Sequence, residues 1–345
     1  MSVIGSNVLA GASGAGGAEQ VVLAAGMNST PFVEAYNWDS GFGSKYSDPS
    51  TALPGKARGV AFSPDGDAIA MAHESSPYVS AYSWSSSGFG SKYSNPSTLP
   101  TGTGRKVAFS PDGNDIAVAS FGSPYILAYP WSSSGFGSKY SNPSTLPPYA
   151  AFQVAFSPDG NDIAVSHYNS PYVTVYSWSS GFGSKYADPS TVPNSPGRSV
   201  AFSPDGNHIV VGGQSTPYIA AYNWSSGFGT KHSDPSTTPT HIVYNIAFTS
   251  NSDTIALAFE LSPYILAYPW SSSGFGSKYS NPSTLPAGAG VGVKFSPDDN
   301  DIFVGHVGSP HITAYPWSSG FGTKYADPST AISDTVFDIS VATVS

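Results

Sequence analysis

Apolar residues in this chain fall at alternate positions in short runs, and the set of runs recurs almost unaltered to the C-terminus. One unit, residues 107–147, reads VAFSPDGNDIAVASFGSPYILAYPWSSSGFGSKYSNPSTLP. Residues 107–110 predict a first strand, A, stopped by Pro111-Asp112-Gly113, where proline presets φ and glycine supplies a positive φ. Residues 116–119 predict strand B, and residues 125–131 predict strand C, whose two faces are both apolar. The Ser-Gly-Phe-Gly segment is expected to turn the chain into a polar strand D at 138–141, suited to an exposed edge.

The seven tryptophans, Trp38, Trp84, Trp131, Trp178, Trp224, Trp270 and Trp317, are spaced by 46 or 47 residues, and the extra residue is one serine in a loop. Four short antiparallel strands per unit, apolar on both sides, predict an all-β fold: a seven-bladed β-propeller of four-stranded antiparallel blades, each buried between its neighbours. The first unit lacks strand A: residues 20–25 align with strand B and 32–38 with strand C. Its missing strand is supplied by residues 339–342, which align with 107–110. The C-terminal strand is therefore expected to pair in the first blade and close the ring. The domain reading is a flexible Gly/Ala/Ser-rich N-terminal arm, 1–18, followed by one propeller, 19–345.

The Phe-Ser-Pro-Asp-Gly turn after strand A (62–66, 109–113, 156–160, 202–206) and the aromatic end of strand C resemble the repeats of WD40 propellers. The chain departs from that family in lacking the Gly-His pair before strand A and, except at Trp38-Asp39, the Asp of Trp-Asp. The arm, with Ile-Gly-Ser-Asn-Val-Leu-Ala-Gly-Ala-Ser-Gly, resembles openings of tailed-bacteriophage structural proteins. That resemblance implies a non-enzymatic structural or protein-interaction module located on a virion, as a tail, fibre or capsid-surface component held through its arm. A cytoplasmic bacterial scaffold is the other placement. The alternative function is a glycan-binding propeller with one site per blade, built on the recurring Tyr46, Tyr93, Tyr140, Tyr186, Tyr279 and Tyr325, with His232 at the seventh place.

Composition narrows the partners. A net charge of -9 argues against nucleic acid and acidic membrane surfaces. The arm is too poor in Lys and Arg for a signal peptide and too short in apolar residues for a membrane span. The chain has no cysteine, so neither disulfides nor thiol chemistry enter. No cofactor and no metal are expected. His73, His167 and His306 share one repeat position but sit on different sides of the ring, too far apart for one zinc ion. Asp112, Asn114 and Asp115 are read as turn residues rather than calcium ligands. Lys294 stands in strand A where other repeats have Ala61, Ala108, Ala155 and Ala201, and is read as facing a wet central channel.

The informative positions are those where repeats differ. The A–B and C–D turns are nearly constant. The B–C and D–A connections, on the opposite face, vary, and the seventh position of each D–A connection holds Arg58, Arg105, Phe152, Arg198, Tyr244, Val291 or Phe337 at the channel mouth. Binding residues are expected on this face: Arg58, His73, Arg105, Phe121, Phe152, Tyr168, Arg198, Tyr244, Phe259 and His306, contacting other protein subunits or a cell-surface glycan.

Overall fold

A computed structural model describes residues 19–344. The proposed arm, 1–18, and the last residue lie outside the described residues. Every regular element is a β-strand, and the strands form seven antiparallel sheets arranged as a ring of blades. In blade 1 the order from the channel outward is Val336–Val344, Gln20–Met27, Val33–Trp38, Phe42–Lys45. Leu23 pairs with Val341 and Ala25 with Ile339, so the C-terminal strand closes the ring as the repeat alignment requires.

Blade 3 shows how the unit is built. Strand A is Gly104–Phe109, B is Asp115–Ser120 and C is Ile126–Ser132. Strand D differs from the expectation. It pairs at Gly135–Phe136, not at 138–141, because Trp131 lies opposite Phe136 and the turn is only Ser133-Ser134. In blade 7 strand D shrinks to one bridge between Trp317 and Phe321. Tyr125, assigned to strand C from sequence, has a positive φ of 70° and precedes the strand.

Burial divides into seven apolar clusters, each containing residues of two adjacent blades. Ala70 and Ala81 of blade 2, for example, pack with Val107, Ile116, Val118 and Tyr129 of blade 3. A blade with both faces apolar has nowhere else to bury them, so the ring is one unit. Each tryptophan seals one such seam: Trp131 meets Tyr93 at 5.1 Å, Phe109 at 5.2 Å and Phe136 at 5.0 Å, all edge-to-face.

The recurring tyrosines belong to this mortar. Tyr140 packs on Trp178, and its hydroxyl donates to Asp115 Oδ1 at 2.7 Å, while Asp115 Oδ2 accepts from Trp178 Nε1 at 2.9 Å. Tyr186 and Tyr325 make the same bond to Asp162 and Asp301. Asp112 accepts from Ser110 Oγ and Asn114 N within its own turn. The acidic residues of this turn are thus satisfied by hydrogen bonds within the fold.

Candidate functional site

The blades bring the starts of their A strands together at one end of the channel. One position of every A strand, and the next position of four of them, line a pocket of about 270 Å³ there. The outer tier is the variable D–A position picked out from sequence: Arg58, Arg105, Phe152, Arg198, Tyr244, Val291 and Phe337 all line it. The next residue along each strand forms a deeper tier, to which Lys106, Gln153, Asn245 and Asp338 contribute. Gly59 holds that tier position in blade 2, and a Cβ there would come within 2.7 Å of Lys106 Cα, so glycine lets blades 2 and 3 close up at the pocket.

The chain contains three arginines, and all three are here. Each guanidinium lies over an aromatic ring: Arg58 over Phe337 at 3.7 Å, Arg198 over Phe152 at 4.1 Å, and Arg105 over Phe121 at 4.6 Å and Phe152 at 5.7 Å. Stacking fixes the plane of a guanidinium and directs its N–H groups outward from the ring edge, where those of Arg58 and Arg198 already meet side-chain acceptors. Arg58 is paired with Glu74, and Arg198 donates to the Gln214 amide oxygen once that amide is oriented toward it. Burial pushes Arg105 down to about 10, and the neighbouring Arg58 and Arg198 charges push the same way. Such crowding favours a bound anion.

Below the arginines, Asp338 is the one carboxylate among the described residues that line the pocket. Its Oδ1 accepts from Lys106 Nζ at 2.5 Å and from Asn245 Nδ2 at 3.4 Å, and its Oδ2 accepts from Val60 N at 2.9 Å. The Asn245 carbonyl oxygen is buried without a partner. Lys294 lies in strand A near this group and is partly accessible, as the wet-channel reading expected. Burial and the Lys106 charge lower its pKa to about 8, against the pull of Asp338.

A test follows from the sign of that shift. The unfolded chain protonates Lys294 below about 10.5 and the folded chain only below about 8, so the residue costs stability at neutral pH and stops doing so as pH rises through that window. Lys294→Met is expected to raise Tm at pH 7, with the gain shrinking toward pH 10. A gain that does not depend on pH would reject the assigned cause.

The cationic character is local. The seven outer lysines are occupied near their own strands, for instance Lys45 by Asp48 at 2.7 Å, Lys139 by Asn142 at 2.6 Å and Lys324 by Asp327 at 2.5 Å. At the channel mouth Arg105 and Arg198 have no carboxylate partner among the described residues, which leaves positive charge there in a chain whose net charge is -9.

Three of the candidate binding residues are corrected. His73, Phe259 and His306 are fully buried, because they are the last residues of their B strands and not part of the exposed connection. His73 Nδ1 donates to Ser75 O at 2.7 Å and its Nε2 accepts from Ser80 Oγ at 3.0 Å. His167 and His306 bond Thr174 and Thr313 in the same way. The signal was present in the sequence: each of these histidines has Ser or Thr seven residues on, where Ser120, Gly213 and Phe259 have Leu127, Ala220 and Leu266. Phe121, at 40% exposed, and Tyr168, at 48%, do lie at the surface, and Tyr244 donates to Glu260 Oε2 at 3.1 Å on the rim. The deep tier was missed, although the position just before each Val-Ala-Phe changes in nearly every repeat.

No protein-family model matches the chain, and no curated protein matches it. Among solved structures, a protein of Bacteroides uniformis provisionally named a 6-phosphogluconolactonase superposes with a TM-score of 0.72 at 14% identity, over 94% of this chain and 99% of its own. The periplasmic gluconolactonase of Pseudomonas aeruginosa gives a TM-score of 0.68 at 17% identity, over 94% and 99%. The hydrazine synthase of Kuenenia stuttgartiensis gives 0.64 at 14%, over 83% and 89%. At such identities the likeness establishes the propeller fold.

These findings correct the functional expectation. The solved propellers named as lactonases are enzymes by name and match 94% of this chain, and nothing in them points to a phage particle or to the WD40 family. The expectation of a non-enzymatic virion component is set aside with them. So is the expectation of a lectin with one site per blade, since recurring tyrosine hydroxyls such as those of Tyr140, Tyr186 and Tyr325 are bound to buried aspartates.

Proposed function

We propose that the channel pocket hydrolyses an anionic sugar lactone. The observation that carries this reading is the convergence of all three arginines of the chain on one pocket whose floor holds a single carboxylate. Stacked arginines are suited to bidentate recognition of a phosphate or carboxylate. Two of the structures named above add support, being called a 6-phosphogluconolactonase and a gluconolactonase.

In this reading the arginines hold the anionic group and place the lactone carbonyl over the deep tier. Water attacks that carbonyl, the ring C–O bond breaks, and the products are a carboxylate, a hydroxyl and one released proton. Asp338 takes the proton from the attacking water, and Lys106 and the Asn245 amide stabilise the oxyanion that forms at the carbonyl.

Because hydrolysis releases a proton, the test is direct. The base needed to hold constant pH is measured with 6-phosphoglucono-1,5-lactone and with glucono-1,5-lactone. Hydrolysis above the spontaneous rate is expected, with kcat/KM higher for the phosphorylated compound. Rates equal to the spontaneous ones for both would reject the proposal.

A further inference from the structure

Blades 3 and 4 carry aromatic side chains beside the pocket that the core does not absorb. Phe121 is 40% exposed, Tyr168 48% and Tyr149 50%. They continue outward from Phe152, which lines the pocket: its ring lies 5.4 Å from Phe121 and 6.4 Å from Tyr168. Tyr168 is 6.1 Å from Tyr149, which is 5.9 Å from Tyr125. The strip stands on fixed backbone, since Phe121 N donates to Thr103 O and Tyr168 N to Ala150 O. At the position of Phe121 and Tyr168 the other blades have Asn28, Glu74, Gln214, Glu260 and Val307. Blades 3 and 4 therefore carry a run of exposed aromatic rings, and it runs into the anion pocket.

The geometry selects what lies on it. Clamping a flat base between two rings needs them parallel and about 7 Å apart, twice a van der Waals contact. Neighbouring rings here are inclined by 86°, 46°, 58° and 38°, so no pair forms a slot, and the exposed area belongs to Phe121, Tyr168 and Tyr149 singly. A single open face suits the C–H side of a sugar ring, and phenol hydroxyls at its edge can bond to sugar hydroxyls. These aromatic side chains are uncharged, so the strip suits a neutral part of a molecule whose charge sits on the arginines.

We propose that the substrate is an oligosaccharide lactone: its anionic, lactone-bearing unit occupies the channel pocket and its next, neutral sugar unit lies on the strip formed by Phe121, Tyr168 and Tyr149. This inference rests on the sugar-lactone reading of the pocket. It goes beyond that reading by assigning a second subsite and a minimum substrate size of two sugar units.

Calorimetric binding separates the two ideas. Gluconate and lactobionate, which is gluconate bearing a galactosyl unit, carry the same carboxylate and differ only in the neutral ring. Full-length protein is expected to bind lactobionate about tenfold tighter than gluconate, the order of one aromatic stacking contact. In Tyr149→Ala/Tyr168→Ala the ratio of the two affinities is expected to fall toward one. Both side chains are about half exposed, so the variant keeps its core. Absence of a lactobionate preference in the wild type, including absence of binding, overturns the inference, and so does a preference that survives in the variant. Failure of the lactonase reading alone would appear differently, as a lactobionate preference without catalysed proton release from any lactone.

Discussion

Asp338→Ala is expected to lower the unfolding free energy by about 3–5 kcal/mol, the usual cost of removing one partner from a buried charge pair. Asp338 is 1% exposed and neutralises Lys106 in a channel that also holds Lys294. It also accepts from Val60 N, so it ties the closing strand of blade 1 to blade 2. Urea unfolding of Asp338→Ala, Lys106→Met and the double variant would isolate the pair. The double variant is expected to recover much of the loss, because no unpaired lysine is left at that position. Losses that simply add would contradict the pairing. Asp338→Asn should retain the acceptor for Val60 N and lose less stability than alanine, while losing the base that the proposed hydrolysis requires.

The second large effect is acid unfolding beginning above the carboxylate range. Burial pushes His73, His167 and His306 down to about 4; each meets a hydroxyl through Nε2, and His73 and His167 also bond their own turns. Their unfolded counterparts take up a proton near 6.5. The native state is therefore fully favoured above that pH and loses stability as pH falls from 6.5 to 4, by about 2–3 kcal/mol for each histidine. His208 and His232 are also lowered by burial and act in the same direction. Against a typical domain stability of about 5–15 kcal/mol, this sum is enough to unfold the ring near pH 4–5. Calorimetry from pH 8 to 4 should show Tm falling most steeply across this interval. Replacing the three histidines by glutamine should flatten that dependence while lowering Tm at pH 8. An unchanged slope in the triple variant would show that other groups govern acid unfolding.

The architecture was legible because it is repeated. Seven evenly spaced tryptophans, a strand pattern apolar on both faces and a missing first strand supplied by the C-terminus left one arrangement that buries everything. The boundaries of strand D were not legible, since Gly-Phe-Gly reads as a turn until Trp131 is seen opposite Phe136. Within the site, the arginines were found because they break the repeat at one position. His73 and His306 break it too, but for a reason internal to the blade, and only their hydroxyl partners seven residues on tell the two cases apart. Asp338 was hidden because its strand is the degenerate, closing copy, and Asn245 and Lys106 because a polar residue inside a short strand looks outward-facing until the channel is known. Function was the least legible layer: a ring of blades serves many chemistries, and the arm drew the reading toward an assembly.

The measurement that bears most directly on the central claim is proton release from 6-phosphoglucono-1,5-lactone by the wild type and by Arg105→Ala/Arg198→Ala. If the channel mouth holds the anionic substrate, the wild type accelerates hydrolysis and the variant loses about a hundredfold or more in kcat/KM, the order expected for two charge-assisted contacts. Equal rates for the two proteins would place any activity elsewhere on the ring and contradict the account.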